Sequence, residues 1–275
     1  MMQNRIDAKF KELKAAGRAA FVTFVTAADP DLETSTALIT GMASSGADIL
    51  EIGMPFTDPS ADGPAIDAAA QRALKAGGSM INTLKIVRAV RESDDTTPIV
   101  LMGYFNPIHA YGIERFTVDA SAAGVDGLII VDLPPEEDAE LRLAANKNSI
   151  HFIRLATPTT RGTRLDTVLD GASGFLYYVA VAGITGGKSA SEDDIKSAMA
   201  AIKAKTDVPV CVGFGIRTPE QAANMARLAD GAVVGSAIVD IIAENIDNEG
   251  RAKAGLVDQT LDFVKKLADG VASAS

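Results

Sequence analysis

The sequence has little of several residue types, and each scarcity excludes a class of protein. Its single cysteine, Cys211, cannot form an internal disulfide, so we expect a cytoplasmic protein in a reducing compartment. Its two histidines, His109 and His151, stand far apart, and no Cys/His spacing suggests a metal site. No apolar run approaches the roughly 18 residues that span a bilayer, so we expect no membrane partner.

Basic residues are also in the minority. Lys and Arg number 26 against 36 Asp and Glu, which gives a formal net charge of −10. Nucleic-acid surfaces need basic patches, so this balance argues against a nucleic-acid partner. Hydrophobic residues at 47% and charged residues at 23% are ordinary for a globular core. No linker composition divides the 275 residues, and we predict one domain over residues 1–275.

Short apolar, β-branched runs recur along the chain and alternate with amphipathic helical stretches. Most runs are apolar on both faces, as buried parallel strands are. Eight such units in about 250 residues fit a (β/α)8 TIM barrel, an α/β fold, with a doubly wound open sheet as the alternative. The absence of GxGxxG after the first run favours the barrel. The predicted strands are Ala20–Thr26, Ala47–Ile52, Pro98–Met102, Asp126–Val131, Ser149–Leu155, Gly174–Ala180, Val208–Gly213 and Asp230–Gly235.

The helical stretches between these runs are Leu32–Ser45, Met80–Glu92, Pro135–Lys147, Glu192–Lys205 and Pro219–Leu228. Two further helices exceed the repeat. Arg5–Ala16 precedes the first strand and is predicted to plug the bottom of the barrel, and Ala252–Ala268 is an extra C-terminal helix.

Residues 49–64, ILEIGMPFTDPSADGP, carry three carboxylates where a strand becomes an irregular loop. Glu51 lies in the apolar run, and its burial should raise its pKa and suit it to proton transfer. A structural acid bonded to the backbone or to a tyrosine is the alternative. Asp62 is either catalytic or a helix cap, and Asp58 is either catalytic or a turn residue before Pro59.

The second half of the chain offers glycines where strands 6, 7 and 8 end. Gly186, Gly215 and Gly235 would expose backbone N–H groups, and Ser236 would lie at the start of helix Ala237–Glu244. A helix N-terminus binds phosphate without a basic side chain. Three such sites in barrel register favour a phosphate cradle over plain turns, although each alone could be a turn.

Aromatic residues at strand ends suggest an apolar slot, although each could also be barrel core. They are Phe24, Tyr104, Tyr177 and Phe214. The segment Val181–Ser189 is small and long enough to act as a lid over such a slot, or it is a plain loop.

Together these strand ends resemble the tryptophan synthase alpha chain family over essentially the whole sequence. The acidic loop is the most specific motif, and the others occur in the expected order. The motifs are FVTAADPD at 24–31, LEIGMPFTDPSADGP at 50–64, YFNP at 104–107, VDLP at 131–134, AGITG at 182–186, GFGI at 213–216 and GSAIV at 235–239.

The resemblance implies retro-aldol cleavage of indole-3-glycerol phosphate to indole and glyceraldehyde 3-phosphate, with no cofactor in this chain. Glu51 matches the general acid/base, Asp62 the carboxylate at the indole N–H, and Tyr177 a tyrosine near the glutamate. The phosphate binders match Gly186, Gly215, Gly235 and Ser236, and the indole-lining or gating positions match Phe24, Tyr104, Phe214 and Thr185. It also implies an α2β2 assembly in which the beta chain carries pyridoxal phosphate and is contacted by the loop of Asp58.

The sequence departs from the commonest family pattern in three places. Thr57 and Ser60 alter the acidic loop, Val181-Ala182 replaces a pair that begins with arginine, and Gly103 stands where some members have methionine. No catalytic group is lost, but Val181 removes any lid salt bridge that the arginine would make.

Other phosphate-binding barrels fit less well. A triosephosphate-isomerase-like site needs Lys and His where this chain has Thr26 and Asp132, and Schiff-base or lysine-dependent sites need a strand lysine that none of the eight runs contains. A metal-dependent aldolase lacks its histidines. A stand-alone lyase that releases free indole and a non-catalytic activating barrel remain as alternatives.

Overall fold

The computed structural model describes residues 4–180, 191–213 and 215–274, and within them eight parallel strands close into a barrel in sequence order. This confirms the predicted fold class. Each strand pairs with the next, and β1 also pairs with β8. The strands are β1 Ala20–Thr26, β2 Ile49–Gly53, β3 Ile99–Gly103, β4 Gly127–Ile130, β5 His151–Ala156, β6 Leu176–Val179, β7 Val210–Gly213 and β8 Gly231–Val234.

Helices surround the barrel, and the two predicted extra helices are both present. The helices are α1 Arg5–Ala15, α2 Leu32–Ser44, α3 Pro64–Lys75, α4 Met80–Arg91, α5 Phe105–Tyr111, α6 Ile113–Ala123, α7 Ala139–Lys147, α8 Thr163–Leu169, α9 Glu192–Lys203, α10 Pro219–Leu228, α11 Ser236–Glu244 and α12 Leu256–Ala272. Helices α3, α5, α6 and α8 are additional to those that the sequence pattern delimited. Gly112, at φ 95°, separates α5 from α6 because other residues rarely adopt that conformation.

The strands alternate between two cores, as their period of two requires. Inward side chains such as Val22, Ile49 and Val100 fill the barrel together with Ile6 and Phe10 of α1. Helix α1 therefore closes the N-terminal end of the barrel, as predicted. Outward side chains such as Phe21 and Leu50 pack against the surrounding helices. This leaves the C-terminal end of the strands open for chemistry.

Three aspartates brace the N-terminal end of the barrel. Asp48, Asp126 and Asp230 each precede a strand and accept a backbone N–H of the strand before it, from Phe21, Ile99 and Val210 respectively, at 2.8 Å. Each also pairs with Arg or Lys. Strands β4 and β8 begin directly after these aspartates, at Gly127 and Gly231, one residue later than predicted.

Within the described residues, no helix is long and apolar enough to cross a membrane.

Candidate active site

Glu51 lies inside the barrel on β2, level with Phe24 of β1 and Val100 of β3. The residue is 1% exposed, and its Oε2 has no hydrogen-bond partner among the described residues. Burial without a countercharge raises the pKa of this carboxyl to about 8. An acid held for structure would have its oxygens bonded, so the orphaned oxygen favours a chemical role over the structural alternative.

Tyr177 of β6 lies inside the barrel close enough to Glu51 for the two charges to interact. Burial, followed by the charges of Glu51 and Cys211, raises the pKa of the Tyr177 phenol well above its ordinary value. The phenol therefore stays protonated and can donate. Gly213 of β7 makes room for it, since a Cβ there would lie 2.3 Å from the Tyr177 hydroxyl oxygen.

A cleft opens at the C-terminal end of β1, β2 and β3, above the level of Glu51. Phe24 and Tyr104 line it, and both are largely buried at 7% and 3% exposure. Its floor includes Gly53, where a Cβ would lie 2.7 Å from the Phe24 ring. The remaining described lining consists of Thr26, Met54, Phe56, Asp62, Ile66, Ala70, Met102, Gly103 and Val131.

Asp62 brings a second carboxylate to this cleft. Burial raises its pKa to about 6, the Tyr104 hydroxyl opposes that rise by hydrogen bonding, and the charge of Asp67 adds to it. The same tyrosine oxygen accepts the Ala61 N–H at 3.0 Å. Asp62 is not the helix cap that its sequence context also allowed, because Gly63 occupies the N-cap of α3. Its carboxylate is thus available to a ligand.

The two carboxylates lie at different depths. Asp62 lines the cleft, whereas Glu51 lies one inward-facing position deeper than Gly53 and is absent from the described lining. The Phe24 ring lies against Gly53 in the same lining. The site therefore combines an outer acid with a pKa of about 6 and a deeper acid with a pKa of about 8.

Asp58 lies apart from both. It is exposed on the loop between β2 and α3, where its Oδ2 accepts the Thr57 hydroxyl at 2.6 Å. Its outward position suits a surface role and not chemistry in the barrel.

The predicted phosphate cradle is partly within the described residues. Helix α11 begins at Ser236, and Gly235 occupies its N-cap, so Ser236 is the first helical residue and not the cap. No side chain among the described residues caps this helix, which leaves first-turn N–H groups for an anion. Gly215 has φ 73° after β7. Thr185, Gly186, Phe214 and the predicted lid Val181–Ser189 lie outside the described residues.

Sequence reasoning missed three features of the site. Phe56 stacks at 5.3 Å from the Tyr104 ring and lines the cleft. Thr26, noted only as a strand end, is 3% exposed in the cleft wall, and its hydroxyl has no hydrogen-bond partner in the part of the chain that the structure describes. The third is an ion pair between Asp29 and Arg72, described below. Thr26 and Phe56 could have been found from the sequence, because they lie in the motifs 24–31 and 50–64 that also carry Phe24, Glu51 and Asp62.

A second groove lies outside the barrel, between α8 and α9. Its wall includes Tyr178, which points outward from β6 while its neighbour Tyr177 points inward. The groove does not adjoin Glu51 or Asp62, so it is separate from the site described above.

Comparisons with known proteins agree with this geometry. A family described as "Tryptophan synthase alpha chain" matches residues 10–271. Tryptophan synthase subunit alpha from Legionella pneumophila is 36% identical, with a TM-score of 0.89 over 98% of this chain and 99% of that one. A tryptophan synthase chain from Mycobacterium tuberculosis is 34% identical, with a TM-score of 0.87 over 98% of each chain. The barrel, its two carboxylates and these matches together show that the chain belongs to the tryptophan synthase alpha chain family.

Proposed function

We propose that this chain cleaves indole-3-glycerol phosphate by a retro-aldol reaction into indole and glyceraldehyde 3-phosphate. Family membership already makes it an enzyme of tryptophan synthesis with lyase activity. The observation that carries the specific reaction is Glu51, a buried carboxyl with a pKa of about 8 beneath an aromatic cleft, one oxygen of which has no partner among residues 4–180, 191–213 and 215–274.

Glu51 supplies the proton that the reaction needs. Near pH 7 its carboxyl is protonated, because its pKa of about 8 lies above the working pH. It donates that proton to indole C3, and the resulting carboxylate then takes the proton of the glycerol hydroxyl on the adjacent carbon. The carbon–carbon bond breaks, the carbonyl forms, and the bonding electrons return to the indole ring. Glu51 ends protonated, so one residue serves as acid and then base.

The depth of Glu51 sets a condition on this step. Because Glu51 lies one inward-facing position deeper than Gly53 of the cleft lining, either the indole ring reaches below the level of Gly53 or the Glu51 side chain turns toward the cleft before the proton moves. Tyr177, protonated and beside Glu51, is placed to hold the carboxylate once it has formed.

Asp62 stabilises the charge that protonation creates. Protonated indole carries positive charge at its ring nitrogen, and a carboxylate at the N–H offsets it most in the transition state. Asp62 must be ionised for this, which its pKa of about 6 allows near neutral pH. Activity therefore requires Asp62 ionised and Glu51 protonated, a window between about pH 6 and about pH 8.

The phosphate end of the substrate is assigned to the N-terminus of α11. Gly235 and Ser236 offer uncapped N–H groups there, and Gly215 stands beside them after β7. The family resemblance adds Gly186 as a phosphate contact, with Thr185 and Phe214 at the indole side. Phe24 and Tyr104 form the described aromatic walls of the cleft.

The partner is a tryptophan synthase beta chain, which the family has in general. We place Asp58 in that contact because it is exposed on the loop that also carries Asp62. The finer expectations are an α2β2 assembly in the cytoplasm, pyridoxal phosphate in the beta chain, and direct passage of indole to it. A stand-alone lyase and a non-catalytic barrel are less well supported, since the family match favours the subunit and both carboxylates are intact.

Indole release from indole-3-glycerol phosphate tests the reaction. We expect the wild type to release indole and Glu51→Gln to lose roughly 100-fold or more in kcat, the scale of one general acid/base. Glu114→Gln, the same change at an exposed helical position, is the matched control and should retain full activity. A wild type that releases no indole, even with a beta chain present, would contradict the proposal. Full activity in Glu51→Gln would contradict only the role of Glu51.

A further inference from the structure

Helix α3 forms one wall of the cleft, yet its buried side chains are too small to fix its position firmly. It begins directly after Asp62 and Gly63, and no side chain among the described residues caps its first turn. Its buried residues are Ala69, Ala70 and Ala73. Methyl groups bury little apolar area, so this face allows close approach but fixes position poorly. A helix that carries a catalytic loop at its start needs a firmer attachment.

The attachment is a forked ion pair between Arg72 of α3 and Asp29. Arg72 Nε donates to Asp29 Oδ1 and Nη2 to Oδ2, both at 2.8 Å. Asp29 is 1% exposed. Burial raises the pKa of its carboxyl, and the guanidinium opposes that rise. A two-point fork fixes orientation as well as distance, which a single contact does not.

Asp29 is itself fixed to the barrel. Its N–H donates to the Thr26 carbonyl at 3.3 Å, the Ala27 N–H donates to the Gly53 carbonyl at 2.9 Å, and the Ala28 N–H donates to the Ser35 hydroxyl at 3.0 Å. The first two bonds tie the Asp29 segment to the ends of β1 and β2, the strands that carry Phe24 and Glu51, and the third ties it to α2. The fork therefore joins α3 to the same rigid frame that holds the deeper acid.

We propose that Arg72 and Asp29 are a positioning pair for the cleavage reaction, setting Asp62 and the α3 wall at the distance from Glu51 that catalysis requires. Neither residue touches the reacting atoms. The proposal rests on the proposed function, because it assigns Asp62 a role in that reaction. It predicts that loss of the fork lowers kcat, since Asp62 acts most strongly in the transition state.

A second forked ion pair, at the N-terminal end of the barrel, is a matched control for Arg72 and Asp29. Arg18 forks onto Asp48 through Nη1 at 2.8 Å and Nη2 at 2.6 Å. Asp48 is also buried, and Arg18, like Arg72, is half-buried. This pair lies at the N-terminal end of the barrel, away from both catalytic carboxylates. The two forks have the same chemistry and differ in what they support.

The kinetic test compares Arg72→Gln, Arg72→Lys, Asp29→Asn and Arg18→Gln in indole release. We expect Arg72→Gln and Asp29→Asn to lower kcat roughly tenfold to 100-fold, the effect of misplacing a catalytic group by about 1 Å, with smaller changes in KM. Arg72→Lys keeps the positive charge without the fork, so its kcat should lie between those of Arg72→Gln and the wild type. The double variant should be no worse than the poorer single one. Arg18→Gln should unfold at lower urea with kcat unchanged.

Amide hydrogen exchange measures how firmly α3 is attached to the barrel, independently of catalytic activity. Exchange across residues 56–76 should quicken in Arg72→Gln and stay at the wild-type rate in Arg18→Gln. Wild-type kcat in Arg72→Gln, or equal losses of kcat in Arg72→Gln and Arg18→Gln, would overturn the proposal. If the wild type released no indole while exchange still separated the two variants, the anchoring would stand and the proposed function would fall.

Discussion

Buried acids at the N-terminal end of the barrel and the deepest acid of the catalytic end are held in opposite ways. At the N-terminal end, Asp48 and Asp126 are almost fully buried, and each accepts a backbone N–H and pairs with arginine. Glu51 is equally buried, yet its Oε2 has no hydrogen-bond partner among the described residues. Asp29 at the catalytic end is paired with Arg72, so the contrast belongs to Glu51 and not to every buried acid there.

The physical consequence lies in how the cost of burial is met. Arginine and backbone donors offset the cost of burying the carboxylates at the N-terminal end. Glu51 has no such countercharge, and desolvation raises the pKa of its carboxyl to about 8. The acids at the N-terminal end thus hold neighbouring strands together, whereas Glu51 costs stability once it ionises and is a proton donor near neutral pH.

The largest expected effect is on stability at the catalytic end. In the folded wild type Glu51 keeps its proton up to about pH 8, whereas the unfolded chain loses it near 4.5. Its contribution to the free energy of unfolding is therefore complete below pH 4.5 and disappears as the pH rises to about 8. That loss amounts to about 5 kcal/mol. Glu51→Gln cannot ionise and should be the more stable protein at pH 9 by about that amount.

Urea unfolding at pH 5 and pH 9 measures this difference. We expect Glu51→Gln and the wild type to be similar at pH 5 and to separate at pH 9, with Glu114→Gln following the wild type at both. If Glu51→Gln were no more stable than the wild type at pH 9, the pKa of the carboxyl would not be raised in the folded protein, and its role as an acid near neutral pH would lose its physical basis.

The next largest effect is a loss of stability, and it is expected from a substitution at the N-terminal end of the barrel. Asp126 bonds Arg5 at 2.9 Å, Arg91 at 2.8 Å and the Ile99 N–H at 2.8 Å. Asp126→Asn removes the countercharge and leaves the half-buried Arg91 guanidinium unpaired. We expect the free energy of unfolding to fall by about 3 kcal/mol in urea titrations at pH 7. The kcat of the folded variant should stay at the wild-type value, and a lower kcat would mean that this end also sets the site.

How much of this could be read from the sequence differs between the ends as well. Short runs that are apolar on both faces, alternating with amphipathic stretches, are local signals, so the barrel and the terminal helices were predictable. Glu51 stands out as an acid within such a run, and Asp62 as an acid in the Pro/Gly-rich loop that follows it. The structure lays Glu51 inside the barrel and Asp62 in the cleft lining, and their roles stay predictions.

Pairing between distant residues could not be predicted in the same way. Asp29 and Arg72 are 43 positions apart, and Asp126 and Arg5 are 121 apart. Whether such residues meet depends on where α3 and α1 pack, and no local pattern encodes that. The packing of the Phe24 ring against Gly53 was hidden for a similar reason. A single glycine in a strand does not reveal which ring will occupy its space.

The smallest effect tests how the outer acid is tuned. The Tyr104 hydroxyl lies close to Asp62 and lowers the pKa of that carboxyl against the effect of burial. Tyr104→Phe removes the hydroxyl and keeps the ring packed on Phe56. Because Asp62 must be ionised, the acid limb of the kcat/KM profile should move upward from about pH 6 by roughly half a pH unit, the equivalent of about 0.7 kcal/mol. The alkaline limb, set by Glu51 near pH 8, should not move. A shift of both limbs would show that the pKa values of the two acids are not set separately. A shift of neither would show that the Tyr104 hydroxyl does not lower the pKa of Asp62.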